Sequence, residues 1–151
     1  MATTVTPATL TTTITESITL NGVVYDKTTT KAIADVATYN SRVYQLKGST
    51  SHSLINFVSD PTSGRFDTED FKYMRITNLD DTNAINISLT DASDAGLGFQ
   101  LNAGDSFVLG ALNIDANTSG DVLTSLAHTV ETAHIRTGAS ETDVEIVIAT
   151  A

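Results

Sequence analysis

Cysteine is absent from this 151-residue chain, which excludes a disulfide framework, a thiolate metal site and a thiol nucleophile. Stability therefore has to come from packing, hydrogen bonds or association, and the absence fits synthesis in a reducing cytoplasm. Cations are scarce: 8 Lys plus Arg stand against 18 Asp plus Glu, a formal charge of −10, and they are scattered singly along the chain. Binding a phosphate backbone requires a clustered positive face, so no nucleic acid is expected as a partner. Tryptophan is missing and only two prolines occur. No window approaches the roughly 20 apolar residues of a membrane span, so no membrane partner is expected. The opening MATTVTPATLTTTITES has neither a basic n-region nor a continuous apolar h-region, and no secretion signal is expected.

What is abundant is threonine, concentrated in TTVTPATLTTTIT and again in DKTTTK. Threonine is β-branched, fits a half-exposed pleat and disfavours helix. A chain of this length suits one domain that buries about two thirds of its unfolded surface. Up to about Thr13, residues 1–15 carry almost no apolar content beyond Val5 and Leu10. They are expected to form an extended arm, either a disordered tail or a segment that orders on a partner, ahead of a domain over 16–151.

Within that domain SITLNGVVYD predicts a hairpin, because Ile18 and Leu20 alternate with polar residues and Asn21-Gly22 supplies the two positive-φ positions of a type I′ turn. Ile33, Val36 and Tyr39 recur every third residue, which predicts a short helix ending near Asn40, with an irregular connection as the alternative. A second hairpin is expected around Lys47-Gly48-Ser49-Thr50, closed by Asp60-Pro61 and Ser63-Gly64. Phe71 to Thr77 reads as a strand, Asn78 to Asn83 as a polar turn, and Ile85, Ile87 and Leu89 as the buried side of a further strand. Asn102-Ala103-Gly104-Asp105 reads as a tight reversal between Phe99/Leu101 and Phe107/Leu109. Between Ala111 and Leu126 the pattern weakens, with Val122-Leu123 a possible short element; strands are then expected over Thr132–Thr137 and in VEIVIATA, the last placed inside a sheet. About eight short strands, about 8 to 15 residues apart, predict an all-β fold: a single antiparallel β-sandwich or jelly-roll-like domain.

Reaction chemistry is hard to find. No G-x-x-x-x-G-K-[ST] occurs, and Gly96 and Gly98 lack the third glycine of a dinucleotide fingerprint. His128 and His134 have strand-compatible spacing with Glu131 nearby, but surface polar roles are favoured over a metal site, and His52 has no zinc-binding neighbour. Ser51-His52 sits in no G-x-S-x-G elbow. Asp80, Asp81, Asp91 and Asp94 fall in loops without calcium-loop spacing and are read as solvated turn residues. The sequons at Asn86 and Asn117 carry no weight without a secretion route. No catalytic, cofactor-binding or metal residue is therefore assigned, and the chain is not expected to be an enzyme.

The segments FKYMRITNLDDTNAINISL, FQLNAGDSFVLG and DVEIVIATA, spread over Phe71 to Ala151, resemble a pattern found in small virion proteins of tailed bacteriophages: strand, polar turn, strand, an L-x-A-G-[DE]-S-F turn, strand, and a terminal V-E-[IVY]-V strand. The resemblance is strongest to capsid decoration (cement) proteins. It implies a jelly-roll-like structural protein on the capsid surface that binds the major capsid protein and itself, as a homotrimer. A tail, neck or fibre subunit is the first alternative. A soluble carbohydrate-binding module is the second, and it is weakened by the lack of tryptophan. Thr3 to Thr15 and Asp80 to Asn83 are the candidate contact segments.

Overall fold

The computed structural model describes residues 5–58, 65–67, 70–90, 96–110 and 132–151. Every regular element among them is a β-strand: β1 (Ala8–Leu20), β2 (Val23–Val36), β3 (Thr38–Leu46), β4 (Ser51–Val58), β5 (Phe66–Asp67), β6 (Phe71–Asn78), β7 (Ile85–Thr90), β8 (Gly96–Leu101), β9 (Ser106–Gly110), β10 (Thr132–Thr137) and β11 (Thr142–Thr150). A five-stranded sheet runs β5-β4-β10-β7-β8, and a four-stranded sheet runs β3-β11-β6-β9. All pairings are antiparallel except the two-residue contact of β5 with β4. The fold is the antiparallel β-sandwich that the strand rhythm predicts.

Alternation along the strands builds the core between the two layers. Ile85, Ile87 and Leu89 of β7, with Ile135 of β10 and Ile55 of β4, face Met74 and Ile76 of β6 and Val144, Ile146 and Ile148 of β11. Phe57 stands edge-on to Phe71 at 5.3 Å between ring centroids, a favoured aromatic geometry that closes one end of the core. β11 lies between β3 and β6, in the interior position expected for VEIVIATA. The chain does reverse tightly at Lys47–Thr50, but the hairpin expected there does not form: β3 pairs with β11 and β4 with β10, so the turn carries the chain from one sheet to the other. A Cβ on Gly48 would collide with the carbonyl of Ala139, and Ser49 takes a positive φ of 60°.

Two expectations give way in the first third of the chain. The extended arm predicted through Thr15 becomes a paired strand from Ala8 onward. β1 and β2 form a long hairpin in register from Leu10↔Ile33 to Leu20↔Val23, turned at Asn21 (φ 52°) and Gly22 (φ 80°). The boundary between residues 15 and 16 therefore falls inside β1. The helix predicted from Ile33, Val36 and Tyr39 is strand as well. The register shifts between Ala8↔Val36 and Leu10↔Ile33, and Asp35 takes a φ of 58°. A bulge inserts extra residues into one strand and changes the parity of the positions beyond it. Ile33 and Val36 thus reach the same side at a spacing of three, which imitates a helical period. The Asp60-Pro61 and Ser63-Gly64 turns, and everything read between Ala111 and Leu126, lie outside the described residues.

Candidate interaction surface

Opposed residues of an antiparallel pair project to the same side, so the register divides the hairpin into two unlike faces. One carries Thr11, Thr13, Thr15, Ser17 and Thr19 opposite Ala32, Thr30, Thr28, Asp26 and Val24. Here the hydroxyls of Thr13 and Thr30 meet at 3.3 Å, and the Ser17 hydroxyl donates to Asp26 Oδ1. Apart from Ala32, Asp26 and Val24, this is a hydroxyl ladder suited to water. The other face carries Leu10/Ile33, Thr12/Lys31, Ile14/Thr29, Glu16/Lys27, Ile18/Tyr25 and Leu20/Val23.

Only the base of this second face is covered. Leu10, Ile33 and Val36 pack on Tyr73, Val147 and Ala149, the side of the four-stranded sheet that faces away from the sandwich core. The Ala37 amide donates to the Thr150 carbonyl at 2.9 Å and continues the chain from hairpin to sheet edge. Burial there pushes the Tyr73 phenol above its ordinary pKa. Beyond the base the stripe is bare: Ile14, Ile18, Leu20, Val23 and Tyr25 are 52 to 59 % exposed.

Past the hairpin base, the outer face of the four-stranded sheet continues with Tyr39 and Val43 of β3 and Val108 of β9, which are 59, 61 and 46 % exposed. Arg75 and Glu145 join in an ion pair between them. The outer face of the five-stranded sheet is different. A shallow hollow of about 410 Å³ lies over Gly98 among Asn86, Gln100, His134 and Arg136, with no exposed aromatic ring among its lining residues.

The residues weighed for chemistry are dispersed. His52 pairs with Ile135 and His134 with Ser53, adjacent register positions that send the two rings to opposite sheet faces. His52 Nε2 is within hydrogen-bond reach of the Lys47 carbonyl at 3.3 Å. His128, Glu131, Asp91, Asp94 and Asn117 lie outside the described residues, and no cluster suited to a metal ion occurs among the described ones. Gly96 and Gly98 sit within β8, where a Cβ on Gly96 would strike the Leu89 carbonyl; close strand approach accounts for that glycine.

Of the contact segment Asp80–Asn83, Asp81 and Thr82 are exposed. Asp80 is committed to the loop itself: its Oδ1 accepts the Thr82 amide at 2.8 Å and the Asn83 amide at 2.6 Å. Those two N–H groups hold its carboxyl below the usual carboxylate range. A lowered folded pKa contributes stability above the unfolded value of about 3.9 and loses it as pH falls through the folded value. The melting-temperature gap between wild type and Asp80→Ala should therefore be widest near neutral pH and shrink under acid, as scanning calorimetry from pH 7 to pH 3 would record. A gap that widens under acid contradicts the assignment.

Sequence reasoning places the candidate contacts in a polar arm, Thr3 to Thr15, and in the turn Asp80 to Asn83, and misses the apolar stripe. The signal is there: Leu10, Ile14, Ile18 and Leu20 share even parity, Val23, Tyr25 and Ile33 share odd parity, and reflection through an Asn-Gly turn puts both sets on one face. No protein-family model matches the chain, and a search of curated proteins finds no match either.

Proposed function

We propose that this chain is a structural virion protein of a tailed bacteriophage: a decoration (cement) protein that assembles as a homotrimer on the capsid surface, binds the major capsid protein lattice and stabilises the shell. The observation that carries the reading is the combination of a two-layer β body with a long exposed hairpin, amphipathic along its length and docked only at its base. Such a part works by fitting against neighbours. The resemblance of Phe71 to Ala151 to small virion proteins supplies the setting. On a closed shell, many copies at fixed spacing raise the effective concentration of each contact, so a modest interface per subunit can stabilise the whole.

Recombinant protein added to expanded empty shells should bind in hundreds of copies and raise their melting temperature, as sedimentation and calorimetry would record. Absence of the chain from purified virions removes the reading. The same hairpin would also suit a tail, neck or fibre subunit bridging neighbours in a ring, and a cryo-EM map separates the two by whether copies cover the shell or stand on the tail.

A further inference from the structure

An isolated two-stranded hairpin is at best marginally stable in water. Here β1 and β2 extend about 33 Å from Leu10 to Leu20, at ~3.3 Å per residue, past the last side chains that anchor them. Along that length the face continuous with the docked base exposes Ile14, Ile18, Tyr25, Leu20 and Val23, interrupted by the Glu16/Lys27 level. One surface on this molecule already accepts that face: the outer side of the four-stranded sheet, where Leu10 and Ile33 rest on Val147 and Tyr73. Next to that seat the same surface offers Tyr39, Val43 and Val108, large apolar side chains about half exposed.

Both surfaces carry charges of both signs. Glu16 and Lys27 oppose each other across the stripe, between the Ile14 and Ile18/Tyr25 levels. Arg75 and Glu145 form the corresponding pair amid the sheet's apolar side chains. The stripe carries Lys31 and Lys27 with one carboxylate, Glu16, and meets a sheet face whose own charges are the Arg75–Glu145 pair, a local balance that offsets the formal charge of −10 on each chain.

We infer that the distal stripe of the β1–β2 hairpin seats on the outer face of the β3-β11-β6-β9 sheet of a second copy of this chain, with Ile18 and Tyr25 set against Val43 and Val108. The inference rests on the self-association contained in the reading above and names its surface. It is tested on the isolated protein, so it can fail while shell binding holds, and the reverse.

Light scattering coupled to size exclusion at tens of micromolar should give wild type a mass of two or more chains. The double variant Ile18→Asp/Tyr25→Asp and the single variant Val43→Asp should each run as monomers with unchanged far-UV circular dichroism, while Thr13→Asp on the hydroxyl ladder keeps the wild-type mass. A monomeric wild type, or a stripe variant that keeps its mass, overturns the proposal. Because the chain has no cysteine of its own, mixing Ile18→Cys with Val43→Cys under oxidation gives a second readout independent of hairpin folding. A disulfide between the two chains supports the seat. Cross-linking of Ile18→Cys to itself alone, with none to Val43→Cys, refutes it.

Discussion

Asn78→Asp is expected to cost the fold about 3 to 6 kcal/mol at neutral pH, because it leaves several buried acceptors unpaired and adds a carboxylate among them. Asn78 is fully buried at the end of β6. Its Nδ2 donates to the carbonyls of Asn83 at 2.8 Å, Asn102 at 3.0 Å and Leu101 at 3.3 Å, and its Oδ1 accepts the Asp80 amide at 3.1 Å. Its backbone joins the same junction: the Asn78 amide donates to the Asp105 carbonyl, and the Gly104 amide donates to the Asn78 carbonyl. One side chain thus ties the β6–β7 loop to the β8–β9 reversal. Aspartate has the same shape and no N–H, so it would turn an oxygen toward three carbonyl oxygens.

Burial and those carbonyls would raise the introduced carboxyl's folded pKa. The electrostatic penalty is then absent below the unfolded value of about 3.9 and grows as pH rises toward the folded value. Urea titrations at pH 4.5 and 7.5 should show the deficit narrowing in acid. A loss under about 1 kcal/mol at neutral pH would mean that the junction is not the anchor described, since each unpaired buried group alone costs about that much. Asn78→Ala removes the donor without adding a charge and should lose less, with no such pH dependence.

Ile76→Asp and Val147→Asp are expected to diverge sharply although β6 and β11 are paired neighbours. Ile76 is fully buried between the two sheets, flanked in register by Ile146 and Phe107. A carboxylate there cannot reach water without opening the sandwich. The effective penalty for a buried ion is several kcal/mol, against a total stability of about 5 to 15 kcal/mol for an ordinary domain. Ile76→Asp should therefore fail to fold at 37 °C.

Val147 is nearly as buried, at 2 %, but its cover is the hairpin base. The molecule can hydrate an aspartate at that position by releasing Leu10, Ile33 and Val36, so the cost is capped at the free energy of docking. Burying one such side chain fully is worth about 1.5 to 3 kcal/mol, an upper estimate for each of the three. Hydrogen exchange on Val147→Asp should show loss of protection confined to residues 8–36, with the sandwich strands protected as in wild type. Global loss of protection, as in Ile76→Asp, would show that hairpin and sandwich form one cooperative unit.

The sandwich is legible in the sequence wherever a strand alternates cleanly. Ile85, Ile87 and Leu89, and Val144, Ile146 and Ile148, read directly as core, because one side of each strand meets the opposite layer and the other meets water or the hairpin. The Asn21-Gly22 turn is equally plain, since few residue pairs accept two positive φ angles. Legibility ends where parity breaks. The bulge at Asp35 moves Val36 to the side of Ile33, and a period of three looks helical. The threonine run resembles an arm because low apolar content argues against self-sufficient order, and the run is indeed not self-sufficient: β1 is held by β2. Asn78 shows locally only its bond from the Asp80 amide, the mark of a turn; the three carbonyls its Nδ2 serves lie 5, 23 and 24 residues away in sequence, so its anchoring role is not legible there.

The position of β11 between β3 and β6 has a consequence for biosynthesis. Ser41 and Glu145, which meet diagonally across the β3–β11 ladder, are separated by 104 positions in the chain. At about 5 to 20 residues per second, a ribosome needs roughly 5 to 20 s to deliver the second strand after the first. The β1–β2 hairpin is a local element that closes in about 1 to 10 μs. Each nascent chain therefore carries the apolar stripe for seconds, on a hairpin only marginally stable by itself, before the sheet that covers its base exists, and polysomes crowded with such chains are where premature pairing, and demand for a chaperone, would concentrate.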